Sequence, residues 1–133
     1  VKTPFAIIAS DGSGVSREFI KSGKLAHPRS YGAFTHLLHY FIGDKGVITW
    51  EEGVKKMTSL PAEAVGIKNR GLLKLKYHAD VVIFDAATVR DRATYQDPFQ
   101  PSKGVEWVIV NGRVAVENGK LTGSKGGQVL KKV

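Results

Sequence analysis

The sequence has no cysteine, only one methionine and only five prolines in its 133 residues. Without cysteine this chain offers no disulfide framework, no thiolate metal site and no cysteine nucleophile. Long apolar runs are missing too. The run from Phe5 to Ala9 is far short of the roughly 20 residues that a membrane-spanning helix needs. There is no Gly-x-Gly-x-x-Gly, no phosphate-loop lysine motif and no Gly-x-Ser-x-Gly elbow, so the local signatures of nucleotide binding and of a serine hydrolase are absent. Internal repeats and low-complexity segments are absent as well.

What is present is the composition of a globular protein, with 42% hydrophobic and 24% charged residues. The length is about that of one domain. Twenty basic against twelve acidic side chains give a net charge of +8, which raises the question of nucleic acid. The excess is spread along the chain: six basic and three acidic in residues 1–46, the same in 47–76, and eight and six in 77–133. The only basic doublets, Lys55-Lys56 and Lys131-Lys132, have no aromatics interleaved for base stacking. A solvated surface is the expected reading, with no nucleic-acid and no membrane partner, in a cytoplasmic protein. The start Val1-Lys2-Thr3-Pro4, rather than Met, suggests a piece of a longer chain.

Phe5 to Ala9 is apolar at every position and stops at Ser10-Asp11-Gly12-Ser13-Gly14, the pattern of a buried parallel strand. The stretch from Gly12 to Gly32 reads as a long loop. Phe34, Leu37, Leu38, Phe41 and Ile42 then form one helical stripe, with His36, His39 and Tyr40 off it and Gly43 as its stop. Thr49 with Glu52 three residues on is a capping-box signature. It opens a helix with Trp50, Val54 and Met57 on one side and Glu51, Lys55 and Lys56 on the other. Pro61 suits the first turn of a short third helix ending near Gly66. Beyond Arg70 the period becomes two. Strands are expected between Asp80 and Asp85, over Val105 to Val110 and over Arg113 to Glu117, with Asn111-Gly112 as a hairpin turn. A last extended piece covers Lys120 to Thr122. The lone early strand has no parallel neighbour in this sequence, so its partners are expected elsewhere, in a larger enzyme.

Asp11 is the sharpest chemical candidate. A carboxylate at the end of a parallel strand sits where α/β sites are built, and it can take a proton from water or ligate a metal. The same Ser-Asp-Gly also suits a turn-stabilising residue. Arg29, in His27-Pro28-Arg29-Ser30-Tyr31-Gly32, can hold a substrate carboxylate through paired N–H donors, or tie its loop to backbone carbonyls. His27 beside it is either structural or part of the site. His36 and His39, three apart, have ligand spacing, but no third ligand is evident and a helix-surface role is expected. Asp80 and Asp85 are expected to terminate their strand.

These segments together resemble the C-terminal part of the N-acyl-D-amino-acid deacylases (D-aminoacylases) of the amidohydrolase superfamily. The resemblance runs nearly end to end. It rests on Ser10-Asp11-Gly12, His27-Pro28-Arg29 with Tyr31-Gly32, the Glu52 to Pro61 stretch, Arg70-Gly71-Leu72-Leu73, Ala79 to Asp85, Ala87-Thr88-Val89, Arg92-Ala93-Thr94 and Val110-Asn111-Gly112. It implies an α/β fold: the last segment of a metal-dependent (β/α)8 hydrolase barrel, followed by part of a small β-sandwich. Residues 1–70 would be the last barrel strand, active-site loop and C-terminal helices, and residues 71–133 the sandwich portion.

The resemblance also implies roles. Asp11 would be the general base toward a zinc-bound water and then the acid toward the leaving amine. Arg29 would grip the α-carboxylate of an N-acyl-D-amino acid, with His27 beside it in the substrate site. The zinc ligands would precede Val1, in the missing N-terminal part of the same polypeptide, and this chain alone would be inactive. Lys76 stands where the superfamily usually places a glycine, often in a turn with positive φ, so a lysine there implies local strain or an altered turn. Two rivals remain: another amidohydrolase, such as a cyclic amidase or deaminase, and a non-catalytic β domain that assembles as a homo-oligomer through its apolar edges.

Overall fold

A computed structural model describes residues 1–130; the Lys131-Lys132 doublet lies outside them. Helices occupy the first half and a four-stranded sheet the second. The helices are α1 (Arg17–Lys21), α2 (Arg29–His36), a π-helical continuation (Leu37–Asp44), α3 (Trp50–Met57) and α4 (Ser59–Ala64). The strands are β1 (Val81–Phe84), β2 (Val105–Val110), β3 (Arg113–Glu117) and β4 (Lys120–Leu121).

The sheet follows the sequence pattern closely. It is an antiparallel meander in the order β1-β2-β3-β4. Asn111 (φ 50) and Gly112 (φ 76) make the left-handed turn between β2 and β3, the conformation that a two-residue hairpin loop needs. Asp80 does close β1, through a network. Its carboxylate accepts from the Asn111 N–H at 2.8 Å and pairs with Arg70, whose other terminal nitrogen donates to Asn111 Oδ1 at 2.5 Å. Burial raises the Asp80 carboxyl, but the Asn111 N–H and the Arg70 donors and charge outweigh it, leaving Asp80 below its usual value.

The helical half agrees at α3, where both halves of the capping box form. Glu52 N–H donates to Thr49 Oγ1 at 3.2 Å, and Thr49 N–H to Glu52 Oε2 at 3.0 Å. The short helix expected around Pro61 is α4, while two other readings in this half are corrected. The loop read from Gly12 to Gly32 contains α1 and the first turn of α2, so Arg29 opens a helix rather than riding a loop. The stripe helix does not stop at Gly43. It widens to π geometry, with Lys45 N–H donating to Tyr40 C=O five residues back at 3.0 Å.

Phe5–Ala9 forms no strand here, and Phe5 is 83% exposed. An extended segment becomes a strand only when neighbours satisfy its backbone groups. All the named strands lie at residue 81 or beyond, and the Ile8 N–H turns instead to the Lys56 carbonyl at 3.0 Å. Lys56, expected on the polar side of α3, is buried.

The core is small. Leu37, Leu38, Ile42, Ile48 and Val89 form its centre, with Ile8, Trp50, Met57, Phe84 and Val105 packed against it. Trp50 stacks on Phe84 with ring centroids 5.9 Å apart, so helices and sheet share one apolar cluster. Among the described residues no helix is long and apolar enough to cross a membrane.

Candidate active site

Asp11, His27 and Arg29 are separated in sequence but meet at one pocket of about 250 Å³, whose walls include Val15, Phe19, Leu25 and Ser30. Asp11 has φ 46, left-handed backbone that an aspartate tolerates better than most residues. The flanking turn is local: the Ser10 hydroxyl accepts from the Gly12 N–H at 3.1 Å. Gly12 lies so close to α2 that a Cβ there would stand 2.9 Å from the Ser30 Cα. The absence of a side chain is what lets the Asp11 turn rest on the first turn of α2.

Arg29 reaches Asp11 from that first turn. Its Nε donates to the Asp11 main-chain oxygen at 3.0 Å, and its Nη2 lies 2.8 Å from Asp11 Oδ2. The guanidinium thus spends one edge on Asp11. Arginine has five N–H donors, so Nη1 and the second Nη2 hydrogen still form an end-on fork of the shape that receives a carboxylate. Both side chains keep solvent contact, 84% for Asp11 and 44% for Arg29.

His27 is held on both sides. The Arg29 N–H donates to Nδ1 at 3.1 Å, and Nε2 lies 3.1 Å from the Tyr95 hydroxyl. An accepting Nδ1 puts the proton of the neutral ring on Nε2, facing Tyr95. Both ring nitrogens are therefore engaged by the protein itself. Sequence reading missed Tyr95, and no local pattern announces a contact across 68 positions.

His36 is exposed on α2 and His39 half-buried on the π-helical stretch, and both face carboxylates. His36 Nδ1 lies 3.1 Å and His39 Nδ1 3.6 Å from the two oxygens of Asp91, and His39 Nε2 lies 3.3 Å from Asp44. Among the described residues no three His, Cys, Asp or Glu side chains gather into a metal site. Asp85 spends its oxygens on the Thr88 hydroxyl and the Ala87 N–H, which hold its carboxyl below the usual value. It closes a turn and takes no part in the pocket. Lys76 has φ 68, so the backbone conformation attributed to a glycine is retained with a lysine in place.

Residues 25–116, which include His27, Arg29, β1, β2 and all but the last residue of β3, match the Amidohydrolase family. The chain belongs to the amidohydrolase family. Among relatives of this amidohydrolase chain is an N-acyl-D-aspartate deacylase of Alcaligenes xylosoxydans xylosoxydans. It is 45% identical over 78% of this chain and 21% of that protein. An N-acyl-D-glutamate deacylase of the same organism is 48% identical over 65% of this chain and 18% of that protein. A D-aminoacylase crystal structure superposes with a TM-score of 0.76 at 39% identity, over 78% of this chain and 22% of that one. An N-acyl-D-glutamate deacylase from Bordetella bronchiseptica, complexed with zinc and a phosphonate mimic of the tetrahedral intermediate, superposes with a TM-score of 0.67. It is 42% identical over 68% of this chain and 19% of that one. These relatives agree with the deacylase resemblance drawn from the sequence. The amidohydrolase chain spans about a fifth of their length.

Proposed function

We propose that this chain supplies the acid–base carboxylate and the carboxylate-binding arginine of an enzyme that hydrolyses N-acyl-D-amino acids to a carboxylate and a D-amino acid. The observation that carries the proposal is the pairing of Asp11 with Arg29 at the pocket, with the end-on fork of Arg29 still unspent. Asp11 accepts a proton from water as the water oxygen bonds to the acyl carbon. The C–N bond then breaks, and the same proton goes to the departing nitrogen. Arg29 places the substrate by its α-carboxylate, which sets the scissile amide within reach of Asp11. His27, with both ring nitrogens occupied, lines the pocket and joins Arg29 to Tyr95.

A catalytic zinc would polarise the amide carbonyl and activate water. The described residues hold no ligand cluster for it, so such a metal does not fit this chain alone. The exposed Phe5 (83%), Leu73 (84%) and Leu75 (91%) agree with a chain that packs against further protein. The 133 residues alone are expected to be inactive.

The test is steady-state hydrolysis by the full-length enzyme of N-acyl-D-amino acids and of the matching N-acyl amines that lack the α-carboxylate. The D-amino-acid substrates are expected to have a kcat/KM higher by about a hundredfold or more, on the scale of a charged, bidentate contact. Equal rates on both series contradict the proposal.

A further inference from the structure

We propose that Lys56 is a positioning residue for Asp11, a proposal that rests on the reading of Asp11 as the acid–base group. The pattern of α3 puts Lys56 among polar neighbours, yet it is only 4% exposed. Its ammonium donates to three main-chain oxygens of the segment that delivers Asp11: Thr3 at 2.5 Å, Ala6 at 3.1 Å and Pro4 at 3.4 Å. An ammonium has three N–H donors and no acceptor, so three carbonyls match its whole inventory. The Lys56 main chain acts on the same segment, since its carbonyl accepts from the Ile8 N–H.

Residues 1–10 have no strand partners among the described residues. Every described hydrogen bond from them to a residue beyond the Ser10–Gly12 turn goes to Lys56. The next hold on the chain is Arg29, at Asp11 itself. Among the described residues, the two holds on this stretch are thus Lys56 upstream and Arg29 at Asp11 itself.

The upstream cation is not held by an ion pair. No carboxylate among the described residues lies within ion-pair distance of Lys56, and a buried ammonium facing only carbonyl dipoles gives up its hydration without a counter-charge. A methionine would fill the same space. What the ammonium adds is direction: it gathers the carbonyls of Thr3, Pro4 and Ala6 and so sets the line along which residues 7–11 run past α3.

The experiment compares Lys56→Met, Lys56→Arg, Asp11→Asn and the Asp11→Asn/Lys56→Met double variant in the full-length enzyme, with N-acyl-D-amino-acid hydrolysis and thermal unfolding as readouts. Lys56→Met is expected to stay folded, keep KM within about twofold and lose kcat by about ten- to a hundredfold, the scale of a small misplacement of a reacting group. Lys56→Arg, which keeps N–H donors, is expected to recover part of that kcat. In the Asp11→Asn background the methionine is expected to cost less than about twofold more, because residues acting as one unit are not additive. Wild-type kcat in Lys56→Met, loss of its fold, a rise in KM alone, or the same loss in the Asp11→Asn background overturns the proposal. Asp11→Asn at wild-type activity overturns the acid–base reading together with this one; an inactive Asp11→Asn beside a fully active Lys56→Met overturns this one alone.

Discussion

Arg29 holds Asp11 by two different atoms. Its Nε takes the backbone carbonyl at 3.0 Å and its Nη2 the carboxylate at 2.8 Å. A pair this exposed contributes little to stability, about 0–1 kcal/mol, so its weight lies in geometry: one guanidinium edge orients the carboxylate and the end-on edge stays open, where the proposed substrate carboxylate would sit. Arg29→Lys keeps the charge and loses both edges. In the full-length enzyme it is expected to raise KM for N-acyl-D-amino acids by about tenfold or more, with thermal stability nearly unchanged. Steady-state kinetics beside a thermal melt checks this, and an unchanged KM would contradict it.

Gly12 sets how closely the Asp11 turn approaches α2. A Cβ at Gly12 would stand 2.9 Å from the Ser30 Cα, and backbone cannot move aside as a flexible side chain does. Gly12→Ala is expected to push the turn off the helix and lower kcat by about tenfold or more, with a stability loss of about 1–3 kcal/mol from overpacking. Equal kcat in the variant would show that the approach is irrelevant to the site.

Away from the pocket, Thr49 anchors α3 through the reciprocal bonds with Glu52. Thr49→Ala is expected to cost about 1 kcal/mol and to leave KM alone. Chemical denaturation measures it; an unmoved midpoint at constant slope would mean that the cap contributes nothing.

The pH dependence of the sheet follows from Asp80, whose carboxyl is held below its usual value of 3.8. A depressed carboxyl stabilises the fold when ionised. That contribution is complete above the unfolded value and is lost as pH falls through the lower folded one. Unfolding below about pH 4 should therefore be steeper in the wild type than in Asp80→Asn, where that dependence is gone. Parallel melting curves of the two proteins between pH 3 and pH 6 would contradict the assignment.

The sequence made legible those features whose determinants are local. Thr49-x-x-Glu52 caps a helix because both partners lie within one turn, and Asn111-Gly112 makes a hairpin because those residues accept positive φ. Asp11 and Arg29 stand out as candidates for a similar reason, since each lies in a short motif. What was not legible depends on distant partners. The apolar run Phe5–Ala9 looks like a buried strand, but strand formation needs neighbours that residues 1–130 do not place beside it. Lys56 looks solvated on a helical wheel, yet the carbonyls of Thr3, Pro4 and Ala6, more than fifty positions away, cover it. The π-helical widening at Leu37–Asp44 leaves the apolar stripe almost as an α-helix would have it, and Tyr95 meets His27 with no sequence cue.

The proposed role of Asp11 is to move the proton in amide hydrolysis. The most direct measurement is kcat for N-acyl-D-amino-acid hydrolysis by full-length wild type and Asp11→Asn at matched metal content. Asparagine keeps the shape of the side chain and removes its proton affinity, so a loss of about a hundred- to ten-thousandfold is expected. A variant within about tenfold of wild type would contradict the account.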